Sequence, residues 1–195
     1  PRCSNGNGMN QDLQNRRVLV TGSSRGVGRA IAGYFHAAGC KVALNGRGSA
    51  DLERAMSELE GAVAIPGDMS LPKQAEQVVE GAVRACGQLD VLVCNVGGGR
   101  SVPPGTETLE EWQRVFALNL WSVTNTVSAA RRHLALTRGA IVCISSICGS
   151  EVIPGAPLTY SAAKSALHAY VRGMARPLGR DGVRINAVAL GNMLF

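Results

Sequence analysis

Aromatic side chains and charge are both scarce in this sequence, and each shortage narrows the possible functions. Aromatic residues make up 4% and charged residues 17% of the 195 residues, and the formal net charge of +6 is scattered along the chain. A nucleic-acid surface normally combines clustered Lys and Arg with aromatic stacking partners. No apolar run approaches the roughly 18 residues that a membrane helix needs. We therefore expect neither a nucleic-acid partner nor a membrane association.

Signals for cysteine pairing are also missing. The six cysteines include no C-x-x-C pair, and the three histidines do not stand at ligand spacing from them. Free cysteine behaves as a small apolar core residue, and disulfides are rare in the cytoplasm. The pattern predicts reduced thiols, no metal site and a cytoplasmic protein.

The N-terminal segment differs in composition from the rest of the chain. Residues 1–15 are polar and rich in Asn and Gly, without the apolar core of a signal peptide. We expect a flexible leader here, with Met9 as a candidate natural start. The remaining residues, 16–195, suffice for one domain with a sizeable core.

Strand-like and helix-like segments alternate from Arg17 onward. Apolar β-type runs lie at 18–20, 41–44, 62–65, 89–93, 140–144 and 184–189. Helical periodicity lies between them at 27–38, 52–59, 75–83, 119–136 and 160–178, and Thr108 with Glu111 forms a capping box that begins a further helix. Apolar strands alternating with helices predict an α/β, doubly wound parallel sheet (Rossmann fold) in a single domain.

A glycine-rich loop follows the first strand and leads into the first helix. Glycines there permit a tight turn and close approach of the backbone to a pyrophosphate at the helix N-terminus. Such a pattern also occurs in ordinary turns, but its position after the first strand favours dinucleotide binding. The predicted cofactor contacts in this loop are Gly22, Ser24, Arg25, Gly26, Val27 and Gly28.

The end of the second strand lacks an acidic residue. Dinucleotide sites for NAD commonly place an acid about 20 residues after the glycine loop, where it binds the ribose 2′-hydroxyl. Gly46 and Arg47 stand there instead, and the first acid is Asp51 in the next helix. Arg25 and Arg47 offer guanidinium groups that can clamp a 2′-phosphate, although both arginines could also be simply solvated. The pattern favours NADP(H).

Polar residues gather where the later strands end. The fourth strand runs into Asn95, the fifth ends at Ser145 and Ser146, and Tyr160 and Lys164 share one face of the next helix. A phenol with a pKa near ~10 is a poor proton donor at neutral pH, and a neighbouring ammonium lowers that pKa. A Tyr-Lys pair alone usually lies on a solvated surface without a role. The nearby strand ends, which carry Asn95, Ser145 and Ser146, make a catalytic role the favoured interpretation here.

Together these motifs resemble the short-chain dehydrogenase/reductase family, from Arg17 to Leu194. The resemblance rests on T-G-x-x-x-G-x-G, an Asp after the third strand, Asn-x-Gly after the fourth, an Asn in the long helix, a Ser, and Tyr-x-x-x-Lys. The pattern is similar to that of NADP-dependent 3-oxoacyl-[acyl-carrier-protein] reductases. It implies hydride transfer between a nicotinamide and a carbonyl or secondary alcohol, with a small-molecule or carrier-bound substrate.

The resemblance also implies roles for individual residues. Tyr160 would donate a proton to the substrate oxygen, Lys164 would lower the phenol pKa and bind the nicotinamide ribose, and Ser146 would bond the carbonyl. Asn119, expected at the head of a long helix, would support a water-linked proton relay. The implied cofactor contacts outside the glycine loop are Arg47, Asp68 (at the adenine), Met69, Asn95, Gly97, Tyr160, Lys164, Gly191 and Met193.

The sequence departs from the family pattern in four places. The interval from Ser146 to Tyr160 is one residue longer than the commonest version, so only the alignment of the motif favours Ser146 over Ser145. Cys94 replaces the usual Asn before Asn95, and Leu190 replaces the usual Pro before Gly191. The family's C-terminal lid and last strand are expected to be absent from this chain, which ends at Phe195. Because that region selects the substrate in the family, the substrate itself stays open.

Two other functions fit parts of the sequence. A non-catalytic nucleotide-binding homologue would keep the fold but would not need Asn119, Ser146, Tyr160 and Lys164 together. A sugar-nucleotide epimerase or dehydratase of the same superfamily usually spaces its loop glycines differently.

The helices near Asn119 and Tyr160 carry apolar residues on more than one face, which predicts burial on two sides. The resemblance accordingly implies a homodimer or homotetramer.

Overall fold

A computed structural model describes residues 12–191, in which strands and helices alternate. Their bounds are β1 (Arg17–Val20), α1 (Gly26–Ala37), β2 (Lys41–Gly46), α2 (Ser49–Ser57), β3 (Val63–Pro66), α3 (Pro72–Cys86), β4 (Val91–Cys94), α4 (Leu109–Phe116), α5 (Ser122–Thr137), β5 (Ala140–Ser146), α6 (Leu158–Arg180) and β6 (Arg184–Leu190). A π-helical segment (Ala117–Trp121) joins α4 to α5, and a 3-10 turn (Ile147–Gly149) follows β5.

The described strands form one sheet in the order β3-β2-β1-β4-β5-β6, and every pairing in it is parallel. The chain moves outward from β1 to β3 and then returns to pair β4 with the other edge of β1. The predicted doubly wound fold is therefore confirmed. A reversal of this kind leaves a crevice at the carboxyl ends of the two central strands, where ligands bind in such sheets.

Apolar strand residues alternate between two cores, one on each face of the sheet. Leu19 and Leu92 pack in the core that α3, α5 and α6 cover, whereas Val18 and Val93 pack in the core that α1 and α2 cover. Successive residues of a strand point to opposite faces, so a strand that is apolar throughout fits only a sheet covered on both sides.

The long helix around Asn119 differs from the prediction. Asn119 does not begin a helix but lies inside the π-helical segment, and α4, this segment and α5 follow one another without a break. Its side-chain amide donates to the Val115 carbonyl at 3.0 Å and to the Gly98 carbonyl at 3.1 Å. A wider turn of this type often occurs at functional positions, where it re-aims a side chain. Half of the predicted capping box is present, because the Glu111 amide donates to Thr108 Oγ1 at 3.3 Å. The Glu111 carboxylate does not complete it but accepts from Ser101 and Arg114.

Residues 12–15 pack against the domain. Leu13 contacts the core beneath α1 and α2, and its carbonyl accepts from the Cys40 thiol at 3.1 Å. The Asn15 amide donates to the Gly39 carbonyl at 2.9 Å. The rest of the predicted leader, 1–11, lies outside the described residues. Between residues 12 and 191, none of the helices is both long and apolar enough to cross a membrane.

Candidate active site

Two adjoining cavities open at the carboxyl edge of the sheet, where the strand order reverses. The larger, of about 520 Å³, lies between the glycine loop after β1, the loop after β4, the end of β5 and the first turns of α6. The smaller, of about 160 Å³, extends past the ends of β2 and β3. Both cavities are lined by Gly22, Arg25, Asn95 and Gly97, so together they form one elongated groove.

The turn from β1 into the first residues of α1 requires glycine at three positions. Gly22 and Gly26 have φ angles of 61° and 58°, which L side chains rarely adopt. Gly28 is packed so closely that a Cβ there would overlap the Gly22 carbonyl oxygen and the Asn95 amide. The N-terminus of α1 therefore reaches the groove as bare backbone, whose N–H groups suit a phosphate.

Two asparagines hold this loop in place from neighbouring strands. Asn95 donates through Nδ2 to the carbonyls of Thr21 and Gly22, at 3.0 and 2.9 Å. Asn45 is fully buried, accepts from the Gly22 amide at 3.3 Å and donates to the Gly67 carbonyl at 3.1 Å. Asn45 was not among the residues predicted from the sequence, although an amide at the end of an otherwise apolar strand was a signal for it.

Two arginines reach the smaller cavity. Arg25 and Arg47 line it together with Ser24, Asp68 and Met69. The Arg47 side chain is 73% exposed, and its Nη1 lies 3.9 Å from Asp68 Oδ2. A Cβ at Gly46 would lie 3.1 Å from Ser24 Oγ, so a side chain at that position would require the serine hydroxyl to shift slightly. This end of the groove therefore carries more positive than negative side-chain charge.

Ser146, Tyr160 and Lys164 converge at the other end of the groove and line the larger cavity. Ser146 ends β5, while the (i, i+4) spacing in α6 places Tyr160 and Lys164 on one helical face. Lys164 is 4% exposed, and its Nζ donates to the Ile144 carbonyl at 3.0 Å. The same nitrogen lies 5.7 Å from the centroid of the Tyr160 ring.

Burial dominates the pKa values of these two groups. It lowers the pKa of Lys164 to about 8, because a buried ammonium loses its hydration. It raises the pKa of Tyr160 above its ordinary value, and the Ser146 hydroxyl offsets part of that rise. The expected fall in the Tyr160 pKa is not found, because the loss of hydration on burial outweighs the lowering by the Ser146 hydroxyl.

Ser145 and Ser146 both line the larger cavity, but their hydroxyls are engaged differently. Ser145 Oγ lies 2.7 Å from Nε2 of His168. Ser146 Oγ accepts from the Cys148 amide at 3.2 Å, which leaves the Ser146 proton available for another acceptor. The hydrogen bonds thus favour Ser146 as the serine that reaches a ligand.

Asn119 lies behind the groove and supports its wall. The residue is fully buried, and its Oδ1 accepts from the Gly98 amide at 3.0 Å. A Cβ at Gly97 would lie 2.9 Å from Asn119 Oδ1 and 3.2 Å from Lys164 Nζ. Glycine at position 97 therefore allows the loop after β4 to lie directly against both side chains.

The structure brings most of the predicted site residues together. Those that line the groove are Gly22, Ser24, Arg25, Gly26, Val27, Gly28, Arg47, Asp68, Met69, Asn95, Gly97, Ser146, Tyr160, Lys164 and Gly191. Asn119 contacts the loop from behind, and Met193 lies outside the described residues. His168, which was not among the predicted site residues, contacts Ser145 beside the groove.

Known proteins resemble the chain in sequence. The family described as short chain dehydrogenase matches residues 16–194. A protein described as ketoacyl reductase 2 of the granaticin polyketide synthase, from Streptomyces violaceoruber, is 36% identical over 179 residues, which cover 89% of this chain and 71% of that protein.

Solved structures share the fold as well. One described as a short-chain alcohol dehydrogenase from Sinorhizobium meliloti 1021 superposes with a TM-score of 0.87 at 32% identity, over 92% of this chain and 73% of its own. The NADH-dependent reductase A1-R′, complexed with NAD, superposes with a TM-score of 0.84 at 28% identity, over 94% of this chain and 81% of its own.

Proposed function

The chain belongs to the short-chain dehydrogenase family of oxidoreductases, and from that premise we propose an NADP(H)-dependent enzyme that moves a hydride between the nicotinamide and a carbonyl or secondary alcohol. One observation carries the proposal. Ser146, Tyr160 and Lys164 meet at one end of a groove, and the glycine loop lies along the same groove. A protein that only bound nucleotide would not need this arrangement.

Tyr160 is the proton donor in this proposal. The bound nicotinamide supplies or accepts the hydride, so the protein must deliver a proton to the substrate oxygen during reduction. Burial raises the pKa of Tyr160, so the phenol keeps its proton at neutral pH until a more basic alkoxide forms beside it. Ser146 would hydrogen bond the substrate oxygen at the same time and share its developing charge.

Lys164 and Asn119 would support this transfer. With a pKa of about 8, Lys164 is mostly charged at pH 7 and can stabilise the phenolate that remains after Tyr160 gives up its proton. Its ammonium would also bind the nicotinamide ribose. Asn119 holds the backbone of Gly98 through both its amide atoms, and from there it would anchor a water-linked path for the returning proton.

The preference for NADP(H) rests on Arg25 and Arg47. Both line the smaller cavity, and their guanidinium groups suit a 2′-phosphate. NAD(H) is the second candidate, for two reasons. The similar reductase A1-R′ is described as NADH-dependent. Arg47 also lies near the Asp68 carboxylate, which would compete with a phosphate for it.

The proton donor is tested by Tyr160→Phe. We expect turnover of a carbonyl substrate to fall at least about 100-fold, because the general acid is lost, while the NADPH dissociation constant stays nearly unchanged. Tyr34→Phe is the matched control, because Tyr34 is 56% exposed on α1 and should leave turnover unaffected. Near-full turnover by a folded, NADPH-binding Tyr160→Phe variant would refute the assignment.

The cofactor preference is tested by titrating NADPH and NADH separately. We expect NADPH to bind more tightly, and Arg47→Asp to reverse the order because a carboxylate repels the 2′-phosphate and accepts from the ribose hydroxyls. Arg54→Asp serves as the control, since Arg54 is an exposed arginine on the neighbouring helix α2. Equal dissociation constants for the two cofactors in the unmodified protein would refute the preference for NADP(H).

The substrate class in this proposal is a small-molecule or carrier-bound carbonyl compound, and 3-oxoacyl thioesters are the first choice because one relative is described as a ketoacyl reductase. A panel of ketones and 3-oxoacyl thioesters, followed by NADPH absorbance, tests this choice. We also place the enzyme in the cytoplasm. This location is supported by the cysteines at positions 40, 86, 94, 143 and 148, which are all free thiols, because disulfides are rare in the cytoplasm.

We further infer a homodimer or homotetramer built on the helices that cover one face of the sheet. Trp121, Leu136 and Leu158 are 44%, 85% and 48% exposed there, and large apolar side chains of this kind are typical of interfaces. Light scattering should give a dimer or tetramer, and Trp121→Glu should shift it toward the monomer. A purely monomeric unmodified protein at micromolar concentration would contradict the inference.

A further inference from the structure

His168 links the two sides of the turn that carries Ser146. It lies on α6, four residues after Lys164. Its Nε2 is 2.7 Å from the hydroxyl of Ser145, the residue just before Ser146 in β5. Its Nδ1 is 3.3 Å from the hydroxyl of Ser150, just after the 3-10 turn. One imidazole thus contacts the chain on both sides of Ser146.

The turn itself is pressed tightly against α6. Ser165 Oγ donates to the Gly149 carbonyl at 2.9 Å. A Cβ at Gly149 would lie 2.8 Å from His168 Cε1 and 2.8 Å from the carbonyl carbon of Lys164. Because the glycine leaves so little space, the helix determines where the turn lies.

The Ser146 hydroxyl depends on that turn. Its oxygen accepts from the Cys148 amide at 3.2 Å, so a shift of the turn would move this donor and reorient the hydroxyl. A neutral imidazole has one donor and one acceptor nitrogen, and each serine hydroxyl can play either part. Both contacts of His168 are therefore satisfied in either tautomer.

We propose that His168 is a positioning residue, which holds Ser145 and Ser150 and thereby aims the Ser146 hydroxyl at the reacting oxygen beside Tyr160. The inference rests on the proposed function, because that function gives Ser146 its contact with the substrate. A misplacement of about 1 Å in such a group can lower turnover up to about 100-fold without loss of binding. His168 would therefore affect the chemical step and leave cofactor affinity alone.

Three substitutions separate this role from a general contribution to stability. His168→Ala removes both contacts. His168→Gln keeps a nitrogen near the position of Nε2 and so preserves the bond to Ser145, whereas His168→Asn preserves only the bond to Ser150. His36→Ala is the matched control, because His36 also makes a hydrogen bond, to the Glu60 carbonyl at 2.8 Å, but does so on α1.

Each variant is measured for kcat and KM with a carbonyl substrate, for NADPH affinity, for stability in urea, and for hydrogen exchange of the Cys148 amide. We expect His168→Ala to lower kcat about 10- to 100-fold, with NADPH affinity within about twofold. The Cys148 amide should exchange at least about tenfold faster, because its bond to Ser146 is no longer held. His168→Gln should recover most of kcat, His168→Asn less, and His36→Ala should match the unmodified protein.

The outcomes separate this inference from the proposed function. If the unmodified protein reduces no carbonyl compound with either cofactor, the proposed function fails, and the Cys148 exchange rates alone decide the role of His168. Unchanged exchange in His168→Ala overturns the inference, whatever happens to kcat. A fall in kcat that His168→Gln does not relieve, or one matched by an equal loss of NADPH affinity, also overturns it.

Discussion

Lys164 is a buried charge, and removing it should make the protein more stable. The side chain is 4% exposed, and among residues 12–191 its ammonium has one hydrogen-bond partner, the Ile144 carbonyl. Burial lowers its pKa from 10.5 to about 8. Below pH 8 the folded protein must therefore hold a proton that it binds less tightly than the unfolded chain does, and this costs stability.

The size of this cost follows from the shift in pKa. A depression from 10.5 to about 8 corresponds to about 3 kcal/mol, fully present below pH 8. Between the two pKa values the unfolded chain binds more protons, so the free energy of unfolding rises with pH. For Lys164 alone, the rise from pH 7 to pH 9.5 is about 2 kcal/mol.

Lys164→Met keeps a long, flexible side chain and removes the charge. At pH 7 we expect the variant to be more stable by about 2 kcal/mol, because the lost hydrogen bond to Ile144 offsets about 1 kcal/mol of the gain. Urea unfolding at pH 7 and pH 9.5 measures both proteins. The difference between them cancels the titration of the remaining groups, so the advantage of the variant should nearly vanish at pH 9.5.

Lys41→Met is the control, because Lys41 is exposed at the start of β2 and its loss should leave the pH dependence of unfolding unchanged. Lys164→Met should also abolish turnover, as expected when a site residue is replaced for stability. Parallel pH dependences for the unmodified protein and Lys164→Met would refute the depressed pKa. A variant less stable at pH 7 by several kcal/mol would show that the hydrogen bond outweighs the cost of burial.

Three further substitutions test other parts of the structure. Asp90 is 4% exposed and accepts from the Arg17 amide and guanidinium at 2.7 and 2.9 Å. Asp90→Ala should therefore lower the free energy of unfolding, measured in urea, by about 3–5 kcal/mol. A loss below about 1 kcal/mol would contradict this. Gly28→Ala places a methyl group against the Gly22 carbonyl and the Asn95 amide and should weaken NADPH binding at least about tenfold by calorimetry; an unchanged affinity would contradict this. Asn119→Ala removes the two hydrogen bonds between the buried Asn119 side chain and the Gly98 backbone, and should cost about 1–3 kcal/mol in the same urea assay. An unchanged midpoint would show that the loop does not depend on them.

Local patterns in the sequence were enough to predict the fold and the glycine loop. Apolar runs such as the one that contains Leu19 have a strand period or a helix period that depends only on neighbouring residues. Gly22 and Gly26 adopt left-handed backbone angles that glycine tolerates, so their place after the first strand was informative by itself. The family resemblance then named Tyr160 and Lys164, which the structure places on one face of α6.

Only the tertiary structure decided how distant residues meet and what environment they share. Asn45 bonds to Gly22, and His168 to Ser145, across more than 20 residues of chain, and no local period reports such contacts. The spacing between Tyr160 and Lys164 predicts a lowered pKa for Tyr160. Burial by the surrounding helices and strands raises that pKa instead. Periodicity is a property of neighbours along the chain, whereas solvation and long-range hydrogen bonds depend on the packing of the whole domain.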